Sequence, residues 1–352
     1  MKKQLIYAGG IIILTILVNT GLVFPQESKN SISGYIYDKS NGEPIEDVNV
    51  YVSNTTWGSS TNKEGYFRIR QIPPGMHELV VTIVGYQYQS KKVLIKKESQ
   101  LKMKFNLKPI IYETDPTLVE GTIPTEWYDQ LEFFKKHFIG QSFFAQECVI
   151  ENEIYLEFKE PNDTFFMASV DRPLIIINKA LGYRIDCVLV NYMYNYDQRK
   201  WTWAIKPKFS ELKSEKSDQV LEWQQNRKKA YQGSLYHFLR SFMYGELEEE
   251  EYDIYKVEVS GQKVPQQRWH HTLVEYEDYI SDGLMGAEKR LHFDKWLFVV
   301  YKKSETSWIG LNHKNITLDE FGYPEEDNPY EIYGSWATQA VGDLLPRNYT
   351  GE

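Results

Sequence analysis

Cysteine is scarce in this chain: 352 residues contain two, Cys148 and Cys187. Two cannot staple a disulfide-dense scaffold, and their separation is not the C-x-x-C of a redox pair. None follows the N-terminal apolar run, which excludes a lipid-anchored lipoprotein. The seven histidines are His77, His137, His237, His270, His271, His292 and His313, and none has Glu three residues on. H-E-x-x-H is also missing, so the local ligand spacing of a zinc peptidase is absent. G-x-S-x-G is absent too, so Ser234 in Y-Q-G-S-L-Y is not a nucleophile elbow and is better read as a helix cap. The acidic run Glu246–Asp253 lacks the spaced D-x-[DN]-x-[DN]-G ligands of a calcium loop and reads as a solvated face. Positive charge is in the minority, with 40 Lys+Arg against 49 Asp+Glu and a net charge of −9. That balance argues against non-specific nucleic-acid binding.

Aromatic residues, in contrast, are plentiful. Nine Trp, 26 Tyr and 17 Phe are far too many for a solvated, disordered chain. The length suits roughly two domains, each able to bury its own core.

Lys2 and Lys3 precede an uncharged stretch, Gln4 to Phe24, and Pro25 stops any helix. Residues 1–26 therefore read as a secretory signal peptide. The rival reading is an uncleaved N-terminal anchor, because the uncharged stretch is just long enough to span a bilayer. Either way the chain is expected to be exported, to the periplasm or in association with the outer membrane. Membrane contact is expected only through this segment, if it is uncleaved.

Residues 31–109 alternate with period two. Val48, Val50 and Val52 interleave with Asn49, Tyr51 and Ser53. Leu79, Val81 and Ile83 interleave with Val80, Thr82 and Val84. Leu101, Met103, Phe105 and Leu107 interleave with Lys102, Lys104, Asn106 and Lys108. Such alternation predicts strands with one buried and one wet face. Turn signals at Asn41-Gly42, Lys63-Glu64-Gly65 and Pro73-Pro74-Gly75 separate about seven short strands, the pattern of a β-sandwich.

The runs GYIYDKSNGEPIEDVNVYV, TNKEGYFRI and IPPGMHELVVTIVGY resemble the carboxypeptidase regulatory-like domain, an all-β sandwich of the transthyretin (prealbumin) type. The marks are Gly34, Asp38, Gly42, Pro44, Val48, Val50, Gly65, Phe67, Pro73, Gly75 and Gly85-Tyr86, in order and spacing. The resemblance implies a module that accompanies zinc carboxypeptidases and TonB-dependent outer-membrane receptors and carries no catalytic residues of its own.

Residues 110–124 contain Pro116, Gly121 and Pro124 without sustained period and read as a linker. Glu27 to Lys108 holds 12 basic and 8 acidic residues, a net of +4. The remainder is strongly acidic, so the two parts are expected to attract weakly.

Residues 125–350 are predicted to form an α+β domain with a mostly antiparallel sheet. A helix capped by Thr125 carries Trp127, Leu131, Phe134 and Phe138 at helical spacing and ends at Gly140. Strands are predicted over Phe143–Glu151, Ile154–Lys159, Phe165–Val170, Leu174–Asn178, Tyr183–Tyr194 and Lys200–Ile205. A helix begins near Asp218, breaks at Gly233-Ser234 and restarts under a Ser234 cap. Strands Thr272–Ile280 and Leu291–Tyr301 and a last helix, Ser335–Leu345, complete the pattern. The segments PLIIINKALGYRIDCVL, NRKKAYQGSLYHFLRS and YGSWATQAVGDLLPRNY resemble recurring blocks of an exported bacterial family that joins this region to a carboxypeptidase regulatory-like domain. That resemblance implies an envelope location and no assigned activity.

Candidate site residues are few. Arg227, Tyr231, His237 and Arg240 line the broken helix pair and form a candidate grip for a carboxylate or phosphate. Ion pairing with Glu215, Asp218 or the acidic run is the plainer account. His270, His271 and His292 fit no known zinc spacing, and adjacent strand residues point to opposite faces, so no metal site is assigned. Cys148 and Cys187 stand either as a disulfide or as two separate buried thiols. The aromatics serve either a sugar-stacking face or ordinary core packing. No cofactor is implied. These readings favour a non-enzymatic cell-envelope binding or assembly module for carbohydrate or an outer-membrane partner. An envelope hydrolase with its site in the C-terminal domain is the alternative.

Overall fold

The structure is a computed structural model that describes residues 30–110, 123–257, 271–273, 275–284, 287–294 and 296–351. The N-terminal apolar run, most of the expected linker and His270 lie outside the described residues. Among the described residues no helix is long and apolar enough to cross a membrane.

The first domain is a sandwich of two sheets. One sheet has the order β4 (Tyr66–Arg70), β1 (Ser31–Asp38), β7 (Gln100–Leu107); the other runs β3 (Gly58–Ser60), β2 (Asn49–Val52), β5 (Gly75–Thr82), β6 (Gln89–Ile95). All pairs are antiparallel except β1–β7. Gly34 makes that parallel pairing feasible, because a Cβ there would sit 2.0 Å from the Met103 carbonyl oxygen. Ile32, Ile36, Val48, Val50, Val52, Leu79, Val81, Phe105 and Leu107 fill the space between the sheets, as their period-two spacing predicts.

The second region has two cores. The first lies between α1 (Thr125–Phe138) and a six-stranded sheet. The path of that sheet is β8 (Cys148–Ile150), β11 (Leu174–Asn178), β12 (Tyr183–Asn195), β10 (Phe165–Ser169), β9 (Glu157–Asn162). β13 (Lys200–Glu211) pairs along the full length of β12. Leu131, Phe134 and Phe138 are the buried stripe of α1. The second core lies under α4 (Leu235–Tyr244), which follows α3 (Ser217–Tyr231). It joins a sheet of β14 (Tyr252–Val257), β15 (His271–Leu273), β18 (Trp296–Tyr301), β19 (Glu305–Leu311) and β21 (Tyr330–Gly334) to a small one of β16 (Ile280–Asp282), β17 (Lys289–Leu291) and β20 (Ile316–Leu318). The fold is thus a β-sandwich followed by α+β structure that is mostly antiparallel.

Several local expectations are corrected. Thr125 is the first helical residue and caps nothing; Pro124 stands at the cap position. Phe143–Gln146 is a short helix, α2, because Ser142 accepts the Ala145 N–H at 3.0 Å, and only Cys148–Ile150 of the expected strand is extended. The expected strand from Thr272 to Ile280 is interrupted by a 3₁₀ turn at Tyr276–Tyr279, and the one from Leu291 splits between two sheets. Two 3₁₀ turns, Ser335–Thr338 and Val341–Asp343, replace the last helix. Gly342 there packs so tightly that a Cβ would fall 2.6 Å from the Ala145 Cα, a contact a regular helix would not place. The break at Gly233 and the Ser234 cap are as expected, with the Ser234 hydroxyl accepting from His237 N at 3.1 Å.

The outer face of β2 and β5 is not wet. Tyr51 and Val80 have no exposed surface, and both pack on Val188 of β12. The loop after β2 is pinned on both sides. Asn54 N donates to the Pro207 carbonyl at 2.8 Å, Phe209 N to the Thr55 carbonyl at 3.0 Å, and Arg347 N to the Asn54 carbonyl at 2.5 Å. The ion pairs across the seam do not all follow the bulk charges of the two parts. Lys92–Asp327 has the expected sign, but the less exposed Glu78–Lys206 pair has the opposite one.

Candidate functional site

Of the four residues expected to grip an anion, Arg227 and His237 are engaged by the protein itself. Arg227 is buried; its Nε donates to the Leu181 carbonyl at 2.8 Å and Nη2 to the Gly182 carbonyl at 3.1 Å. Its guanidinium lies 4.0 Å from the Tyr183 ring centroid, and Nη1 is 3.4 Å from Glu211. Asn226 and Trp223 bind the neighbouring carbonyls of Ala180 and Lys179, so α3 clamps the turn before β12. Gly182 (φ +67°) lets that clamp close, since a Cβ would meet the Trp223 ring at 2.3 Å.

Tyr231 and His237 do come together, with ring centroids 4.8 Å apart, and Tyr349 flanks Tyr231 at 5.7 Å. His237 is fully engaged. Nδ1 accepts from Tyr252 Oη at 2.9 Å and from Gly233 N at 3.1 Å, and Nε2 donates to Glu250 at 3.0 Å. Burial lowers its pKa, and the Glu250 carboxylate opposes that shift. Glu250 belongs to the acidic run, which is therefore not wholly a solvated face. Arg240 stands apart, 5.4 Å from the Tyr244 ring. This cluster forms the joint between α3 and α4.

Cys148 and Cys187 are free thiols. β11 runs between their strands, pairing Cys148 with Asn178 and Cys187 with Leu174. Two inter-strand steps of about 4.8 Å plus that offset put the pair beyond the roughly 7 Å Cα reach of a disulfide. Burial pushes the Cys148 thiol up to about 12, and that of Cys187 higher still. Among the described residues no group of three His, Cys, Asp or Glu side chains could hold a metal ion. The triad of His270, His271 and His292 lies partly outside the described residues.

What the structure does assemble is an aromatic platform. On α1, Phe133 and His137 are one turn apart and flank the buried stripe. On the hairpin, Tyr192 faces Trp203 and Tyr194 faces Trp201 in register, so all four project from the side of the sheet that α1 covers. Phe133 lies 5.1 Å from Tyr194 and 6.1 Å from Tyr196; His137 lies 5.1 Å from Tyr194 and 5.5 Å from Trp201. Trp201 is 37% exposed, while Phe133, His137, Tyr194 and Tyr196 are half-buried. His137 Nδ1 donates to the Phe133 carbonyl at 2.9 Å, which fixes the ring. Glu160 supplies a polar rim: it accepts from Gln130 at 3.3 Å, and its charge adds to burial in raising the Tyr196 phenol. One pair further in, the Tyr192 hydroxyl is buried without a partner.

The chemistry available here is stacking by ring faces plus a few polar groups at the edge. The signal in sequence was the run of aromatics at every second position, Tyr192-x-Tyr194-x-Tyr196 and Trp201-x-Trp203, on either side of one turn. Without the pairing register, nothing in the sequence tied that run to α1.

Residues 32–119 match the family model described as the CarboxypepD_reg-like domain, the sandwich that the sequence resemblance implied. No curated protein matches the chain. Among solved structures, similarity extends to a mutant type II cohesin–X-dockerin complex from Acetivibrio cellulolyticus, at 23% identity and a TM-score of 0.18. It covers 22% of this chain and 52% of that one, so this chain spans about half of its length. The 5-hydroxyisourate hydrolase of Klebsiella pneumoniae is similar at 20% identity over 24% of this chain and 89% of that one, TM-score 0.20. A Bacteroides uniformis protein suggested to bind carbohydrate is similar at 10% identity over 52% and 80%, TM-score 0.20. Likenesses this low carry no argument about function.

Proposed function

We propose that this protein is a non-enzymatic binding module of the cell envelope that holds glycan on the aromatic platform of α1 and the β12–β13 hairpin. The observation that carries the reading is the contiguity of Phe133, His137, Tyr194, Tyr196 and Trp201 at a partly open surface. Ring faces pack against the C–H faces of pyranoses, and Glu160 and Gln130 at the rim offer hydrogen bonds to hydroxyls. The sandwich, a CarboxypepD_reg-like domain, serves as a fixed accessory that braces the other face of the same sheet. Envelope location rests on Lys2 and Lys3 followed by the uncharged run to Phe24.

The test is affinity electrophoresis and calorimetry of the full chain against neutral polysaccharides: dextran, mannan, xylan and β-glucan. At least one is expected to bind, and Trp201→Ala with Tyr194→Ala is expected to weaken it by about tenfold or more. Binding to none of the four, or binding that survives the double substitution, rejects the platform. Cell fractionation with N-terminal sequencing tests the location; a cytosolic species that retains Met1 rejects it.

A further inference from the structure

The free sheet of the sandwich carries a second, chemically different surface. β1 lies between β4 and β7, and the registers place Arg68, Ser33 and Lys102 in one row across the sheet and Tyr66, Tyr35 and Lys104 in the next. Arg70 extends the β4 flank by two residues. Odd positions of β1 and even positions of β4 and β7 share the outer face, because Ile32, Ile36, Phe67, Ile69 and Phe105 fill the core on the other side. Among the described residues of β1, β4 and β7, no acidic side chain stands on that outer face. Arg68, Arg70, Lys102 and Lys104 are all exposed. None of them forms an ion pair among the described residues. Lys104 lies 4.5 Å over the Tyr37 ring instead.

This is an unusual place for uncompensated cations in a chain of net charge −9. The second domain docks on the opposite sheet, so it neither covers nor neutralises them. Their arrangement is directional. Cations on each flank are two residues apart, about 6.8 Å, and the flanks stand about 9.6 Å from one another across β1. Between them run a serine and a 44%-exposed tyrosine ring, Tyr35. A linear polyanion laid along β1 would meet positive charge on both sides and a ring face beneath.

We infer that this face binds an acidic polysaccharide, one whose sugar rings bear carboxylates. Arginine forks pair with carboxylates, and Tyr35 offers a stacking face for a pyranose ring. An anionic lipid surface suits the face less well, because it presents no aliphatic side chains to insert. The inference does not depend on the aromatic platform, which lies in the other domain.

The experiment uses the full chain with oligomeric polygalacturonate and, as its uncharged counterpart, methyl-esterified polygalacturonate. Binding to the acid is expected to be about tenfold or more tighter than to the ester, with log K falling linearly in log salt concentration. Arg68→Gln with Lys102→Gln is expected to weaken it by about tenfold, while Arg68→Lys with Lys102→Arg keeps it within about threefold. Trp201→Ala is expected to leave it unchanged, which separates this face from the platform. An unchanged thermal midpoint shows that the Gln pair is folded. The inference is overturned by equal binding of acid and ester, by full binding in the Gln pair, or by tighter binding to phosphatidylglycerol vesicles or poly(U) than to polygalacturonate.

Discussion

The Tyr51 hydroxyl donates to the Lys206 carbonyl at 2.7 Å, across the seam between the two domains, from a side chain with no exposed surface. Tyr51 stands at a position that strand alternation assigns to solvent. Its burial, with that of Val80 beside it, means that the sandwich was shaped with two covered faces on one sheet and a charged free face on the other.

The seam is therefore expected to respond in two graded ways. Tyr51→Phe removes one hydrogen bond but keeps the packing, and should cost about 1 kcal/mol of stability. Val80→Asp places an unpaired carboxylate against Val188 and should release the domains from each other while each keeps its own core. Calorimetry then shows two transitions where the parent shows one, and limited proteolysis cuts between residues 110 and 124. A single transition in Val80→Asp with a parental midpoint argues against a cooperative seam.

Val80 also shows where sequence stops being legible. Three consecutive valine-class positions, Leu79, Val80 and Val81, break strict alternation. That break is the trace of a strand covered on both faces, but it names no partner. Period two found β7 because one-sided burial imposes it; it also found β2 and β5, but assigned to water an outer face that the second domain covers. It failed around Phe143 and Ser335, where a single side-chain cap or a glycine contact between distant segments decides the backbone. The platform was half visible for the same reason: alternation showed the hairpin aromatics, while their meeting with Phe133 and His137 is tertiary.

His77 should make the fold sensitive to mild acid. Its Nε2 donates to the Pro73 carbonyl at 2.8 Å, leaving Nδ1 buried without a partner. Burial first, then the nearby Arg347 charge, lowers its pKa from 6.5 to about 4. The unfolded chain thus takes up the proton before the folded one. The stabilisation is complete above pH 6.5, falls as pH drops, and is gone below about pH 4, where both states are protonated. The shift corresponds to about 3 kcal/mol. Urea titrations at pH 7 and pH 4.5 should show that loss reduced in His77→Gln. An identical pH dependence in the variant would assign the acid sensitivity elsewhere.

The thiols should behave independently. Treatment with a disulfide reductant is expected to leave the thermal midpoint unchanged, because β11 separates Cys148 from Cys187. Maleimide should label Cys187 only after denaturation, since that thiol is buried. A reductant-dependent midpoint, or a peptide map in which the two cysteines co-elute as one cross-linked species, would reverse this assignment.

Arg227 and His237 provide the sharpest separation of structural from binding roles. Arg227→Met removes the guanidinium that lies over the Tyr183 ring and abandons the carbonyls of Leu181 and Gly182, which then lie buried without donors. The expected cost is about 2–4 kcal/mol. His237→Phe removes both Nδ1 and Nε2, stranding the Tyr252 hydroxyl and Glu250, with a similar expected loss. Neither residue touches the rings of the platform or the cations of the free sandwich face. Below their lowered melting points, both variants should therefore bind the neutral polysaccharide and polygalacturonate with parental affinity. Loss of binding in a variant that remains folded by circular dichroism would return the α3–α4 joint to consideration as a ligand site. Destabilisation with intact binding identifies it as the clamp that fixes α3 to the turn before β12.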